Sequence, residues 1–185
     1  MTDIVYFDLE TMRSADDVGG WNRKQDMGMS IGVTYSTKEG KYRIFGESEV
    51  NQLIDQLLNA DLVVGYNHVS FDYAVLEGYT ILDLGSQTRN LDLMVDVEQT
   101  LGKRLKLESI AGASLGMGKS ADGLQALKWY AEYRRSGDSQ FLMKIAEYCA
   151  FDVKVTKCVH EYGQQNGKIL FDDRNGGIAE VEVKW

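Results

Sequence analysis

The sequence predicts a mixed α/β fold, and three observations carry that expectation. An apolar segment of strand character opens the chain at residues 3–10, and two further strand-like segments follow it closely. Helical and strand-like segments then alternate, and two long segments of helical character precede the tail. The 185 residues fit one domain against the usual ~100–200 residues per domain. A chain of this length can bury a core without covalent staples.

Residues 3–10 (DIVYFDLE) are apolar on both alternating faces until the carboxylates, as a buried central strand should be. Residues 13–28 are polar and glycine-containing and read as a loop. Residues 29–37 and 41–46 read as strands joined by a tight turn at Lys38–Gly40. Ser48 is placed to cap a helix whose apolar positions Val50, Leu53, Ile54, Leu57 and Leu58 keep helical spacing. Residues 61–66 form a short buried strand, and a helix over 70–78 begins at or just before Phe71. A fifth strand falls at 88–94, and a helix at 107–115 is closed by the Gly116 and Gly118 region. Two helices follow at about 122–136 and 139–164, then a hairpin over 168–184 turned around Asn175-Gly176-Gly177. No internal repeat or linker divides the chain.

Composition narrows the function classes. No apolar run approaches the ~20 residues of a membrane span, and the start, MTDIVYFDLET, lacks the basic-then-apolar order of a secretory signal. A cytoplasmic protein is expected. Cys149 and Cys158 fall nine residues apart on one expected helix. That separation is ~13 Å along the axis, beyond the ~7 Å limit of a disulfide. The net charge of −8 argues against tight, indiscriminate binding to long duplexes. Basic groups gather locally at Lys103, Arg104 and Lys106, and at Arg134 and Arg135.

Four carboxylates are candidates for chemistry. Asp8 and Glu10 stand two apart on the first strand, so their side chains share a face. The plain alternative is a strand end emerging into solvent. Asp72, in Asn67-His68-Val69-Ser70-Phe71-Asp72, follows the strand at 61–66; its plain alternative is a helix cap. Asp152 lies one helical turn after Tyr148, beside the apolar positions Ile145, Cys149, Val153, Val155 and Val159. Its plain alternative is a solvated helix face. Taken together, an oxygen-rich cluster of this kind suits Mg²⁺ or Mn²⁺. Two such ions would activate a water and stabilise the leaving oxygen of a phosphodiester.

The segment Phe7-Asp8-Leu9-Glu10-Thr11 resembles the first motif of the DEDD 3′–5′ exonucleases. Asn67 to Asp72 resembles the second, N-x-x-x-F-D, and Tyr148 to Asp152 the third, Y-x-x-x-D. The three stand in the family's order over residues 3–160, and the third selects the tyrosine subclass (DEDDy). Glu147 occupies the position where the histidine subclass carries its histidine. More narrowly, the chain resembles the YprB-type RNase H-like exonucleases. The resemblance implies an RNase H-like fold, with a mixed five-stranded sheet flanked by helices. It implies an exonuclease domain over 1–165 with the 166–185 hairpin as an accessory to it.

The same resemblance implies two Mg²⁺ or Mn²⁺ ions. Asp8, Glu10 and Asp152 would hold the first, Asp8 would bridge to the second, and Asp72 would help place that ion through water. Tyr148 would orient the attacking water, since a phenol of pKa ~10 is a weak base at neutral pH. Glu10 would meet the 3′-hydroxyl, the backbone at Leu9 and Thr11 would line the terminal nucleotide, and Asn67 and Phe71 would contact substrate or pack. His68 reads as a hydrogen-bonded loop histidine rather than a ligand, because hard cations favour oxygen. Lys119 is a phosphate-contact candidate, but its glycine loop lacks P-loop spacing. The expected substrate is the 3′ end of DNA or RNA, with a helicase or polymerase as partner. The rivals are an RNase H-like endonuclease, a silent nuclease-like subunit, and a coincidence of motifs in an acidic α/β protein.

Overall fold

Strand β1 (Ile4–Thr11) is the axis on which the other elements are arranged. The computed structural model describes residues 2–117, 123–173 and 176–185. After β1 come α1 (Ala15–Val18), β2 (Met29–Ser36), β3 (Lys41–Gly46), α2 (Val50–Leu58), β4 (Leu62–Gly65) and α3 (Asp72–Leu76). Then follow α4 (Leu84–Gln87), β5 (Asn90–Asp92), α5 (Leu93–Leu101), α6 (Leu107–Leu115), α7 (Gly123–Ser136) and α8 (Gln140–Asn166). The tail folds back as β6 (Lys168–Asp172) and β7 (Ile178–Glu182). The main sheet has the order β3-β2-β1-β4-β5. β2 runs antiparallel to both β1 and β3, whereas β4 runs parallel to β1 and β5. This is the expected mixed five-stranded sheet flanked by helices.

The alternation of β1 divides the core in two. Val5, Phe7 and Leu9 face α2 and α3, where Leu53, Ile54, Leu57, Val75 and Leu76 complete one cluster. Tyr6 faces the other way, with Ile145, Cys149, Val153 and Val159 of α8. Asp8 and Glu10 share the parity of Tyr6, so both are directed to the α8 side. Tyr6 Oη and His160 Nδ1, 2.9 Å apart, tie strand to helix. The five apolar positions expected to bury part of α8 are all buried.

The tail packs on the same side. Ile169, Phe171, Val181 and Val183 belong to the α8 cluster. Ser114 of α6 both donates to the Leu170 carbonyl and accepts from its N–H, at 2.9 and 2.8 Å. Trp185 lies over the bare backbone of Gly163, where a Cβ would fall 2.3 Å from the ring. Its indole donates to Asp96 of α5 at 2.7 Å.

Several elements differ from expectation. The segment 13–28 is not all loop: Ser14 and Asp17 form a reciprocal capping box that starts α1, and a 3-10 helix follows at Trp21–Asp26. Ser48 does not cap α2; it lies inside a 3-10 turn, Glu47–Glu49, and Glu49 reaches back to the N–H of Gly46. Helix α3 is shorter than 70–78. The strand at 88–94 is reduced to β5 because Asp92 turns the chain into α5, a helix read as strand end and loop. Gly118, Lys119 and Asn175 lie outside the described residues, as does the first residue of the 122–136 helix. Helix α6 matches its expected bounds, closed by Gly116 in the left-handed region at φ 65°.

Asp92 is a densely connected residue that the sequence left unmarked. One carboxylate oxygen accepts from the N–H groups of Asn67, Met94 and Val95, and the other from Val69. It therefore caps α5 and shapes the turn after β4 at once. Asp92→Ala should destabilise the protein by about 3 kcal/mol, from a lost cap and stranded buried donors. The melting temperature should fall by roughly 10 °C for a domain of this size. Unchanged thermal denaturation would contradict this role.

Candidate active site

Three elements bring the carboxylates together. β1 supplies Asp8 and Glu10, α8 supplies Asp152, and one ligand oxygen of each lies within 4.8 Å of the others. The end of β1 is irregular there, since Glu10 pairs with Ile31 but Thr11 with Met29. Ser30, the residue passed over, donates its hydroxyl to the Glu10 carbonyl at 3.0 Å. Such a bulge re-aims side chains at the end of a strand.

Asp72 enters from the start of α3 and is buried. It is not a helix cap. Its carboxylate accepts the N–H of Leu9 at 3.0 Å, a bond from α3 to the backbone between Asp8 and Glu10. Its oxygens lie outside the group of three, yet its charge raises the pKa of both Asp8 and Glu10. Tyr148 is half-buried and hydrogen-bonds Asp152 one turn along α8. Burial and then the neighbouring carboxylates hold its phenol above the ordinary tyrosine value. Glu147 is exposed.

The remaining candidates line the approach. Leu9 is buried, and Thr11 donates its hydroxyl to the Arg13 carbonyl at 3.0 Å. Asn67 is in the left-handed region at φ 64°, which asparagine tolerates better than most residues. Its N–H is held by Asp92, and its side-chain oxygen accepts from Ser70 at 2.6 Å. Phe71 is partly buried against Trp21. His68 is buried away from the cluster, with Nε2 3.1 Å from Asn90 Oδ1 and Nδ1 3.5 Å from Asp92. Burial lowers its pKa, so it is neutral.

Two open clefts meet at the cluster and share Asp8, Tyr66 and Asn67. One, of 580 Å³, runs past Asp72 and Phe71 to Trp21. The other, of 400 Å³, runs past Asp152 and Phe151 to Lys106. Four of the residues used here were missed as site residues in the sequence. Tyr66 is anchored by its hydroxyl to the Leu105 carbonyl at 2.8 Å. Trp21 and Arg13 sit in the segment read as loop. Cys149, read from the sequence as a buried apolar position without a disulfide partner, donates its buried thiol to both the carbonyl and a carboxylate oxygen of Asp8, each at 3.3 Å. Its place three residues before Asp152, on the apolar stripe of α8, was the available signal. Both cysteines are free thiols.

A profile of the RNase H superfamily matches residues 5–163. The chain belongs to the RNase H superfamily. No curated protein sequence matches it. Among solved structures it resembles the family B DNA polymerase of the hyperthermophilic archaeon Pyrobaculum calidifontis. The TM-score is 0.62 at 16% identity, over 88% of this chain and 24% of the polymerase. It also resembles exonuclease I, with a TM-score of 0.51 at 12% identity, over 89% of this chain and 41% of that protein. This RNase H superfamily member thus spans well under half of either protein, and at these identities the likeness establishes the fold. Among the described residues, no helix is long and apolar enough to cross a membrane.

The donor set of this superfamily member fits a hard divalent cation. It is all carboxylate oxygen, it is closely spaced, and it is partly enclosed. Among the described residues no lysine or arginine pairs with Asp8 or Glu10. Burial first, then the other carboxylates, raises Asp8 and Glu10 well above the ordinary carboxylate range. Burial likewise pushes Asp72 up to about 8. A bound cation would reverse that balance and favour the ionised forms.

Between the unfolded value of ~4 and the raised folded values, the folded protein holds more protons than the unfolded chain. Metal-free stability should therefore be greatest at acidic pH and fall as pH rises through about 8. Saturating Mn²⁺ should flatten the slope by binding the ionised carboxylates. Melting temperature against pH, with chelator and with Mn²⁺, reads this directly. Asp8→Asn with Glu10→Gln should lose most of the response to cation and reduce the slope to the part that Asp72 supplies.

Proposed function

We propose that this chain is a DEDDy-type 3′–5′ exonuclease that hydrolyses phosphodiester bonds with two Mg²⁺ or Mn²⁺ ions. The observation that carries the reading is the convergence of Asp8, Glu10 and Asp152 within 4.8 Å, at the meeting of two open clefts. Asp8, Glu10 and Asp152 would hold one cation, with Asp8 shared with a second and Asp72 assisting. Bound there, the cations would acidify water and offset charge on the phosphate. The likeness of fold to exonuclease I and to a family B polymerase supports the choice among nuclease chemistries.

The side chains divide the remaining work. Tyr148, hydrogen-bonded to Asp152 and with its phenol held protonated, is a donor rather than a base and orients the attacking water. Cys149 fixes one oxygen of Asp8, and the Leu9 N–H fixes Asp72, so both carboxylates keep their direction. Leu9, Thr11, Asn67 and Phe71 line the cleft that would receive the terminal nucleotide. Lys106, on the other cleft, would meet the phosphates behind it. The substrate on this reading is a single-stranded 3′ end of DNA or RNA. The reading includes a cytoplasmic setting, a helicase or polymerase partner, and residues 166–185 as an accessory to the catalytic unit 1–165.

The test uses 5′-labelled single-stranded DNA and RNA, linear and circular, with Mn²⁺ or with EDTA. A ladder shortening from the 3′ end of linear strands only, lost in EDTA and in Asp8→Ala/Asp152→Ala, is the expected result. Cutting of circles would identify an endonuclease instead, and no cleavage with Mn²⁺ would identify a silent subunit. Tyr148→Phe should lower kcat by about 10²-fold by misplacing the water. The same variant should keep the stabilisation by Mn²⁺, because no carboxylate is changed.

A further inference from the structure

We infer that Trp21 is a stacking platform for the base of the nucleotide at the cleaved end, and that it selects unpaired ends. This rests on the exonuclease reading of the adjoining carboxylates. Trp21 is 68% exposed, an unusual setting for the largest apolar side chain. It is nevertheless held in place. Its 3-10 segment follows Gly20, at φ 126°, and Lys24 of that segment donates to the Ser70 carbonyl at 2.6 Å. The segment also lies against the end of α3, where a Cβ on Gly78 would fall 2.3 Å from the Gln25 carbonyl. A tryptophan both anchored and exposed is prepared to meet something from outside.

The occupant follows from what shares the cleft. Trp21 and Phe71 stand with ring centroids 6.3 Å apart and tilted by 56°, so their faces form one aromatic wall. The same cleft reaches Asp8, Glu10 and Asp72, and Leu124 and Leu127 line it as well. A phosphodiester at the carboxylates therefore has its attached base in the same open cleft as this aromatic wall. Every nucleobase offers a face to such a wall, so binding is tolerant of sequence. A base in a duplex is already stacked and paired, so an unpaired end reaches Trp21 at less cost.

The experiment measures binding of a ten-nucleotide single strand, as DNA and as RNA, to Asp8→Ala/Asp152→Ala, which leaves the strand intact. Each strand ends either in a normal nucleotide or in an abasic one. The normal end should quench tryptophan fluorescence and bind roughly tenfold more tightly than the abasic end, as expected for one stacked base. Adding Trp21→Ala should remove that difference and the quench, and Trp21→Phe should restore most of the affinity. Equal affinity for both ends, or no binding of either strand, overturns the inference. Cleavage by the wild type with no dependence on Trp21 would overturn it while leaving the exonuclease reading intact. Trp21-dependent binding without cleavage would do the opposite.

Discussion

The structure depends on one constraint, the enclosure of carboxylates between the end of β1 and the middle of α8. Charged groups taken out of water are costly unless something offsets the charge. Asp8 and Glu10 have only hydrogen-bond donors and other carboxylates for neighbours among the groups that shift them, and their pKa values rise accordingly. The surrounding fold holds them there regardless. Leu9 N–H binds Asp72, the Cys149 thiol binds Asp8, and Ser30 fixes the carbonyl of Glu10. Stability is given up locally to keep this oxygen-rich donor set together.

That arrangement needs two well-packed cores of different character. The cluster under α2 and α3 is built on Val5, Phe7 and Leu9, and it holds β1 rigid from behind. The cluster under α8 is larger and carries polar ties such as Tyr6 to His160. A 27-residue helix laid along the sheet carries Asp152 at its middle, braced on both sides by buried turns. The tail strengthens this brace, because Trp185 seats on Gly163 and reaches Asp96. The distance among three carboxylates from two elements is thus set by packing that extends to the last residue.

The acidity of the chain is concentrated in its consequences. Several surface ion pairs, such as Arg43 with Glu39 and Arg104 with Glu98, are exposed and worth little each. Within the clefts the balance differs: Lys106 lines one and Arg13 the other, and both clefts reach Asp8.

Much was determined by the sequence itself. The parity of Asp8 and Glu10, the one-turn spacing of Tyr148 and Asp152, and the apolar stripe of α8 follow from the periods of strand and helix. Those periods are local, and so the five strands, α6 and the long helices were legible. What tertiary structure decided is what depends on distant partners. Asp72 looks like a cap until Leu9, 63 residues earlier, is seen to donate to it. Asp92 looks like a strand residue until its four backbone donors converge. Cys149 is marked by the apolar stripe of α8 as buried, though not for what it meets, and Trp21 carries no periodic signature of its role. The first acts through a contact 141 residues away, and the second through an exposure that only the folded surface defines.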